Sequence, residues 1–198
     1  LGSVFSSSQK RLDVRKRMRL GLVAKMYKLA LIFAARVIFL NQDDINEFSS
    51  RGILKPKNAS LLGGIGVDLA EWVNTNPIQK PVTFILSARL LREKGVVDFA
   101  DAAKKVKSMY PETRFILLGG LDSNLSSLCQ DEVAGWARSG VIEWPGHVEV
   151  KPWLAQSSVF VLPSYYREGI PRSSQEALAM SLPIITTDSV GCKETVLN

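Results

Sequence analysis

The sequence predicts an α/β fold built on a doubly wound parallel sheet. From Val82 onward, short apolar segments alternate with longer segments of helical character. A loop rich in glycine, proline or polar residues follows each apolar segment, and no internal repeat interrupts the alternation. Such alternation is typical of βαβ units, whose strands run parallel. With 198 residues and 46% apolar content, the chain can bury the core of one or two domains.

The first part of the chain combines a basic helical segment with two short apolar segments. A polar residue before a periodic segment predicts a helix start, and Gly52 after one predicts its end. Two interpretations of the basic segment stay open: a solvated surface helix, or a helix at an anionic membrane surface. The predicted elements are a helix over 10–33, a buried strand Arg36–Leu40, a helix from Asn41 or Asp43 to about Arg51, and a strand Ala59–Leu62.

The second part carries the regular alternation. A linker over 72–81, marked by Pro77 and Pro81, separates it from the first part. The predicted elements are a strand Val82–Ser87, a helix Val96–Met109, a strand Arg114–Leu118, a helix from about Ser123 to Arg138, a strand Val141–Glu143, a short helix Pro152–Gln156, a strand Ser158–Leu162, a helix over 172–181 and a strand Ile184–Thr187.

The unit that organises the chain is the last strand–loop–helix–strand, which reads EGIPRSSQEALAMSLPIITTD from Glu168. Pro171 suits a helix start because its φ is fixed and it has no N–H to satisfy. Ligands of parallel sheets bind at the carboxyl ends of the strands, and a helix N-terminus favours phosphate. The loop therefore delivers two carboxylates, Glu168 and Glu176, together with the backbone of Gly169 and Ile170, to a ligand edge.

This stretch resembles the E-x7-E signature of retaining glycosyltransferases of the GT-B fold, family 4. The matching residues read EG-x-P-R, then EA-x-AM, then P-IITTD-x-x-GC-x-ET-V. The loop GGIGVD is not a dinucleotide-binding fingerprint, because Leu69 stands where that fingerprint needs its third glycine. It is similar instead to the family's G-x-GVD loop. The segment from Arg89 through Lys94 and Gly95 is similar to the family's R-L-x-x-x-K-G motif. The likeness is greatest to bacterial enzymes that build surface polysaccharide or lipid-linked oligosaccharide.

The resemblance implies a role for each motif residue. Arg89 and Lys94 would hold the diphosphate of a nucleotide-diphospho-sugar donor and stabilise it as it leaves; an Arg fork and a Lys point charge suit that task. Glu176 would accept hydrogen bonds from the ribose hydroxyls. Glu168 would contact the transferred sugar, beside Gly169, Ile170 and Pro171. No cofactor and no metal are implied, and the sequence contains no D-x-D.

The resemblance also implies two domains: part of an N-terminal acceptor domain over 1–66, and a nucleotide-sugar domain over 67–198 that is incomplete at its end. The expected activity is transfer of a hexose from a nucleotide sugar, UDP-linked, to a lipid-linked or polysaccharide acceptor. The alternatives are a fragment that binds nucleotide sugar without transfer, and a GT-B nucleotide-sugar epimerase. The only histidine, His147, is expected to be structural.

Charge is concentrated in the first part of the chain. Residues 1–60 hold 12 Lys and Arg against 4 Asp and Glu, whereas the remainder holds 13 against 15. If residues 10–28 do not form a solvated surface helix, this excess favours their contact with anionic phospholipid head groups or a lipid diphosphate; nucleic acid is disfavoured because no aromatic residues interleave the charges. No transmembrane helix or signal peptide is predicted. The expected location is the cytoplasm, at the inner face of the cytoplasmic membrane, with Cys129 and Cys192 as buried thiols.

Overall fold

The computed structural model describes residues 14–73, 80–124 and 126–196. They form two parallel sheets, one of two strands and one of five, each covered by helices. The elements in chain order are α1 (Val14–Ala30), β1 (Val37–Phe39), α2 (Gln42–Ser50), β2 (Ala59–Leu61), β3 (Thr83–Ser87), α3 (Val96–Met109), β4 (Arg114–Leu118), α4 (Gln130–Arg138), β5 (Glu143–Gly146), α5 (Lys151–Leu154), β6 (Val159–Leu162), α6 (Arg172–Ala179) and β7 (Ile184–Thr186).

The larger sheet has the order β5-β4-β3-β6-β7, with every pair parallel. The chain enters at the central strand β3, moves outward to β5, then crosses back to β6 and β7. The direction of winding therefore reverses between β3 and β6, and ligands of such sheets bind at that switch point. The α/β doubly wound fold predicted from the sequence is confirmed.

Both faces of the larger sheet are buried, which explains why its central strands read as unbroken apolar segments. Along β3, Leu86 packs on one face with α3 and α4, while its neighbour Ile85 packs on the other face with α5 and α6. Strand β4 alternates in the same way, with Leu117 on the first face and Ile116 on the second. All four side chains are fully buried.

The smaller sheet pairs β1 with β2 and is covered by α1 and α2. Its core centres on Phe48, whose ring contacts those of Tyr27 and Phe39 edge-on at 5.7 and 5.2 Å between centroids. Only part of β1 is buried, because Phe39 is enclosed whereas Ile38 is 65% exposed. The predicted strand Arg36–Leu40 is therefore present as Val37–Phe39, but it is buried only in part.

Two glycines allow loops at the carboxyl edge of the larger sheet to approach closely. A Cβ added at Gly119, where φ is +148°, would lie 1.9 Å from the carbonyl oxygen of Ala88. A Cβ added at Gly95, where φ is +73°, would lie 2.1 Å from the carbonyl oxygen of Pro163. These contacts hold the loops after β3, β4 and β6 together, and no other residue type fits them.

Three further predictions need correction. Helix α4 begins at Gln130 rather than Ser123, because the preceding segment is tied to the loop after β3: the N–H of Leu128 donates to Leu90 O at 2.9 Å. Strand β5 is Glu143–Gly146 rather than Val141–Glu143, because the N–H groups of residues 141 and 142 donate to Trp136 O at the end of α4. Cys129 is exposed; only Cys192 is buried.

Residues 10–13 of the predicted first helix and 74–79 of the predicted linker lie outside the described residues. The helices within the described ranges are all too short or too polar to cross a membrane.

Candidate functional site

The loops at the carboxyl ends of β3, β4, β5 and β6 form the candidate site. Every residue that the sequence predicted for the site follows one of these strands or lies in the helix α6 after β6. Arg89 and Lys94 come after β3, Glu168 to Pro171 come after β6, and Glu176 lies in α6. The structure therefore brings the two sequence motifs, almost eighty residues apart, to one edge of the sheet.

Lys94 and Glu168 are in direct contact. The Lys94 Nζ donates a hydrogen bond to Glu168 Oε1, and the two side chains are only 12% and 14% exposed. The hydroxyl of Ser164, a fully buried residue directly after β6, donates to the same carboxylate oxygen at 3.3 Å. The ammonium also lies 5.2 Å from the ring centroid of Tyr166. Lys94 is thus held in place by groups on the β6–α6 loop.

Arg89 points to a different carboxylate. Its Nη1 lies 3.0 Å from Asp122 Oδ2, in the loop after β4, and its side chain is 59% exposed. A cavity of about 160 Å³ lies beside it at the carboxyl end of the sheet. The cavity is lined by Ser87, Ala88, Arg89, Leu118, Gly119, Gly120, His147, Val148 and Val150.

Glu176 lies in a second cavity, of about 480 Å³, whose lining shares Val150 with the cavity beside Arg89. Its carboxylate accepts a hydrogen bond from Arg172 Nε at 2.9 Å, and its side chain is 13% exposed. The remaining lining residues are Glu71, Trp72, Glu149 and Lys151. An aromatic side chain beside carboxylates suits a nucleoside, because the carboxylates accept from hydroxyls and the ring covers an apolar face.

Pro171 is buried and stands at the N-cap of α6, as the sequence predicted. The backbone from Gly169 to Ile170 leads into this helix, whose first N–H groups have no partner within the helix. They lie one turn before Glu176. The N-terminus of α6 thus supplies partial positive charge between the two carboxylates of the motif.

Three cations of the site are each paired with a carboxylate of the site: Lys94 with Glu168, Arg89 with Asp122, and Arg172 with Glu176. An anion that binds here must compete with these carboxylates. The arrangement can accept a diphosphate by exchanging carboxylate partners for phosphate oxygens, at little cost in side-chain entropy because the cations are already held in place.

Sequence reasoning missed several residues of the site, including Trp72, which lines the cavity of Glu176. Asp122 and Ser164 follow the carboxyl ends of β4 and β6, so the strand-end rule that selected Arg89 could have found them. Asn41 was predicted only as a helix cap. Its amide also donates to the carbonyl oxygens of Glu168 and Gly169, at 3.2 and 3.0 Å, from the first part of the chain. No local signal in the sequence could have revealed a contact that spans 127 residues.

Two pKa values near the site are shifted. Partial burial raises the pKa of Tyr165, and the carboxylates of Glu93 and Asp98 raise it further. A hydrogen bond to Asp43 raises the pKa of Lys193, and the 2.8 Å contact joins the turn after β7 to α2.

Residues 81–198, which contain β3 to β7 and every predicted site residue, match the model of the family "Glycosyl transferases group 1". The chain belongs to this family. It is 30% identical over 191 residues to the N,N'-diacetylbacillosaminyl-diphospho-undecaprenol alpha-1,3-N-acetylgalactosaminyltransferase of Campylobacter jejuni, covering 89% of this chain and 48% of that one. It is 29% identical over 154 residues to the colanic acid biosynthesis glycosyltransferase WcaL of Escherichia coli, described as putative, covering 71% and 37%.

Solved structures show the same fold. Anabaena HepE in complex with UDP-glucose superposes with a TM-score of 0.71 at 19% identity, over 90% of this chain and 52% of that one. A glycosyltransferase from Rickettsia africae superposes with a TM-score of 0.74 at 15% identity, over 89% and 50%. The fold is that of the GT-B glycosyltransferases, as the sequence motifs predicted. The chain spans about half the length, or less, of these relatives.

Proposed function

We propose that the chain carries the donor site of a glycosyltransferase that moves a hexose from a nucleotide sugar, UDP-linked, to a lipid-linked or polysaccharide acceptor. The transfer would retain the configuration at the anomeric carbon. Family membership supports transfer in general. Residues 1–66 would be part of an acceptor domain, and residues 67–198 would form the donor domain.

The observation that carries the proposal is the placement of Lys94 and Glu168 in contact at the switch point of the sheet. One is a cation suited to a diphosphate, the other a carboxylate suited to sugar hydroxyls. Glu176 lies farther along, in a cavity with Trp72 that suits the nucleoside. Sugar, diphosphate and nucleoside would therefore follow one another across the carboxyl edge.

The proposed roles divide the work of the reaction. As the bond between the anomeric carbon and the phosphate breaks, negative charge grows on the departing diphosphate. Lys94 and Arg89, together with the first N–H groups of α6, would stabilise that charge. Glu168 would orient the sugar, and Glu176 would hold the ribose. No side chain is proposed as a covalent nucleophile.

Isothermal titration with a panel of nucleotide sugars tests the donor. The panel is UDP-glucose, UDP-galactose, UDP-N-acetylglucosamine, UDP-N-acetylgalactosamine and GDP-mannose. We expect at least one UDP-sugar to bind more tightly than UDP itself, because the sugar adds contacts at Glu168. If GDP-mannose binds and no UDP-sugar does, the choice of base is refuted; if none of the panel binds, the donor site itself is refuted.

The diphosphate assignment has a separate test. Arg89→Ala should weaken UDP binding by about 1.5 kcal/mol, the lower end for a lost charge-assisted contact, because Arg89 is largely exposed. Uridine, which lacks the phosphates, should bind equally to both proteins. Lys105→Ala, on the exposed side of α3, is the matched control for loss of one positive charge. Equal losses for UDP and uridine would contradict the assignment.

A second candidate function is donor binding without transfer by this chain alone. The side chains proposed to touch the donor, Trp72, Arg89, Lys94, Glu168 and Glu176, all lie within 67–198. None of them belongs to the two-strand unit, which comprises β1 and β2 with the helices α1 and α2 that cover them. A transfer assay with a UDP-sugar and a lipid-linked acceptor distinguishes the two candidates. Multiple turnovers would exclude the second candidate, and an anomeric NMR spectrum of the product would test retention.

We further propose that α1 contacts an anionic membrane surface. One face of α1 packs on the two-strand sheet through Leu20, yet the opposite face exposes a stripe of four apolar side chains that are 61–72% exposed. The helical period places Lys25 and Lys28 along one border of the stripe and Arg19 along the other. The stripe consists of Met18, Leu22, Met26 and Leu29.

Co-sedimentation with phosphatidylglycerol vesicles tests this contact. Binding should exceed that to phosphatidylcholine, and it should fall from about 0.1 M to about 1 M salt, as the screening length shortens from about 10 to about 3 Å. Lys25→Glu/Lys28→Glu should abolish binding, whereas Lys104→Glu/Lys105→Glu on α3 should not. Binding that is absent, or indifferent to salt and to both variants, would refute the proposal.

A further inference from the structure

We propose that Asn41 is a positioning residue for recognition of the donor sugar. It lies at the N-cap of α2, in the two-strand unit, but its amide holds the backbone of the loop that carries Glu168. The inference rests on the proposed function, since it assigns the sugar to Glu168. It adds that the first part of the chain determines how that carboxylate is presented.

The contacts of Asn41 account for its burial. The residue is 1% exposed, although its side chain is polar. Its Oδ1 accepts from the N–H of Asp44 at 2.8 Å, which caps α2. Its Nδ2 donates to Gly169 O at 3.0 Å and Glu168 O at 3.2 Å, and it also lies 3.2 Å from Asp44 Oδ2. A helix cap needs only the Oδ1 contact, so the two contacts to the loop are additional.

The loop is held from its other side by the turn after β7. The N–H of Glu168 donates to Val190 O at 3.1 Å. A Cβ added at Gly191 would lie 2.2 Å from Gly169 O and 2.7 Å from Glu168 O. The two carbonyl groups are therefore enclosed between the Asn41 amide and the backbone at Gly191. Meanwhile the carboxylate of Glu168 contacts Lys94 and Ser164.

Neighbouring contacts fix α2 against the same loop. Arg167 Nε donates to Asp44 Oδ1 at 2.8 Å, and its Nη2 donates to Asp43 O at 3.1 Å. A Cβ added at Gly169 would lie 2.5 Å from Leu40 Cδ1, so the end of β1 occupies the space that a side chain would need. Asn41 alone among these residues binds the carbonyl of Glu168 itself.

This arrangement separates nucleotide binding from sugar recognition. Arg89 pairs with Asp122 in the loop after β4, and Lys94 lies in the loop after β3, so the backbone of neither cation belongs to the loop that Asn41 holds. If the Asn41 amide is lost, the Glu168 backbone loses a donor on one side, while Arg89 keeps its place beside the proposed diphosphate and Glu176 its place beside the proposed ribose. Affinity for UDP should then persist, and the additional affinity contributed by the sugar should fall.

Two variants keep the helix cap but remove the donor. Asn41→Asp retains an acceptor for the N–H of Asp44 and places a carboxylate against two carbonyl oxygens. Asn41→Ser also caps a helix well but is too short to reach both carbonyl groups. Gln42→Ser is the matched control, because Gln42 begins the same helix and its amide bonds only to Asn46, at 3.0 Å, among the contacts described.

The measurement is the ratio of the dissociation constants of UDP and of the UDP-sugar in the panel that binds wild type most tightly. We expect both Asn41 variants to lower this ratio about tenfold, with UDP affinity changed less than twofold and Gln42→Ser unchanged. A ratio that is unaffected, or equal losses for both ligands, would overturn the inference. If wild type binds UDP but the Asn41 variants bind both UDP and the UDP-sugar as tightly as wild type does, the proposed function stands and the inference fails.

A spectroscopic measurement on wild type requires no variant to fold. The side-chain amide resonances of Asn41, assigned by ¹⁵N NMR, should shift more when the UDP-sugar is added than when UDP is added. Shifts of equal size with both ligands, or with neither, would overturn the inference. If wild type binds no nucleotide at all, it is the proposed function that fails.

Discussion

The ion pair between Lys94 and Glu168 makes a prediction in which two variants at one contact have opposite effects. Lys94→Met should weaken UDP binding by about 1.5–3 kcal/mol, the contribution of a charge-assisted hydrogen bond. Glu168→Gln should instead tighten UDP binding, because the carboxylate competes with the diphosphate for the same ammonium. Two unit charges 4 Å apart interact by about 1 kcal/mol in water. The two side chains are only 12% and 14% exposed, so their interaction is stronger than it would be in water. Glu168→Gln should therefore bind UDP at least about fivefold more tightly than wild type does.

The same substitution should have the reverse consequence for the sugar. Glu168→Gln removes the carboxylate proposed to accept from sugar hydroxyls, so the UDP-sugar should lose its advantage over UDP. Without ligand, the Gln variant should also be less stable than wild type by about 1–2 kcal/mol, because it leaves Lys94 largely buried and without its carboxylate.

Isothermal titration of UDP and of a UDP-sugar into wild type, both single variants and the double variant measures these effects. In the double variant the gain from Glu168→Gln should shrink, because the ammonium that it releases is absent. Glu112→Gln, an exposed carboxylate at the opposite edge of the sheet, controls for net charge. If Glu168→Gln weakens UDP as much as Lys94→Met does, competition between carboxylate and diphosphate is refuted.

Three further predictions concern neighbouring residues. Gly119→Ala should lower the free energy of unfolding by about 3 kcal/mol, because φ is +148° and the added Cβ would overlap the carbonyl oxygen of Ala88. Urea denaturation measures this loss, and a loss within about 0.5 kcal/mol would be incompatible with that overlap. Asp122→Asn should tighten UDP binding by releasing Arg89, and weaker binding would show that Asp122 supports the site rather than competing in it. A hydrogen bond from Arg114 lowers the pKa of Glu143, so its stabilising contribution is present at neutral pH and lost as pH falls through that lowered pKa. Wild type should therefore exceed Glu143→Gln in stability by up to about 1 kcal/mol at pH 7, and this difference should shrink progressively as pH falls below about 4.3, the ordinary pKa of a Glu side chain; a difference that stays constant as the pH is lowered would disprove the linkage.

The elements predicted well from sequence are those with local boundary signals. Helix α3 was predicted residue for residue, because Gly95 precedes it and Pro111 follows it closely. Strand β4 was likewise predicted correctly, since its apolar run ends at two glycines. The start of α4 was not, because the segment before it is determined by long-range hydrogen bonds: Arg92 N–H to Ser126 O, at 3.0 Å, prevents helix there.

The same contrast between local signals and long-range contacts applies to the candidate site. Strand ends and motif spacing predicted that Arg89, Lys94 and Glu168 would share one edge of the sheet, and the structure places them there. Which carboxylate each cation contacts could not be predicted, because it depends on loop geometry. Gly95 and Gly119 set that geometry through close contacts with the residues Pro163 and Ala88. The contact of Asn41 with the Glu168 loop depends on how the two sheets meet, for which the sequence holds no local signal.

The most direct test of the central claim, that the carboxyl edge of the five-strand sheet binds a nucleoside diphosphate, is titration of wild type with UDP and with uridine. Two cations and the N-terminus of α6 are proposed to contact the phosphates, and one charge-assisted contact contributes about 1.5–3 kcal/mol. UDP should therefore bind at least tenfold more tightly than uridine, and the difference should shrink as salt is raised. Equal affinity for the two ligands, or no binding of UDP, would contradict the claim.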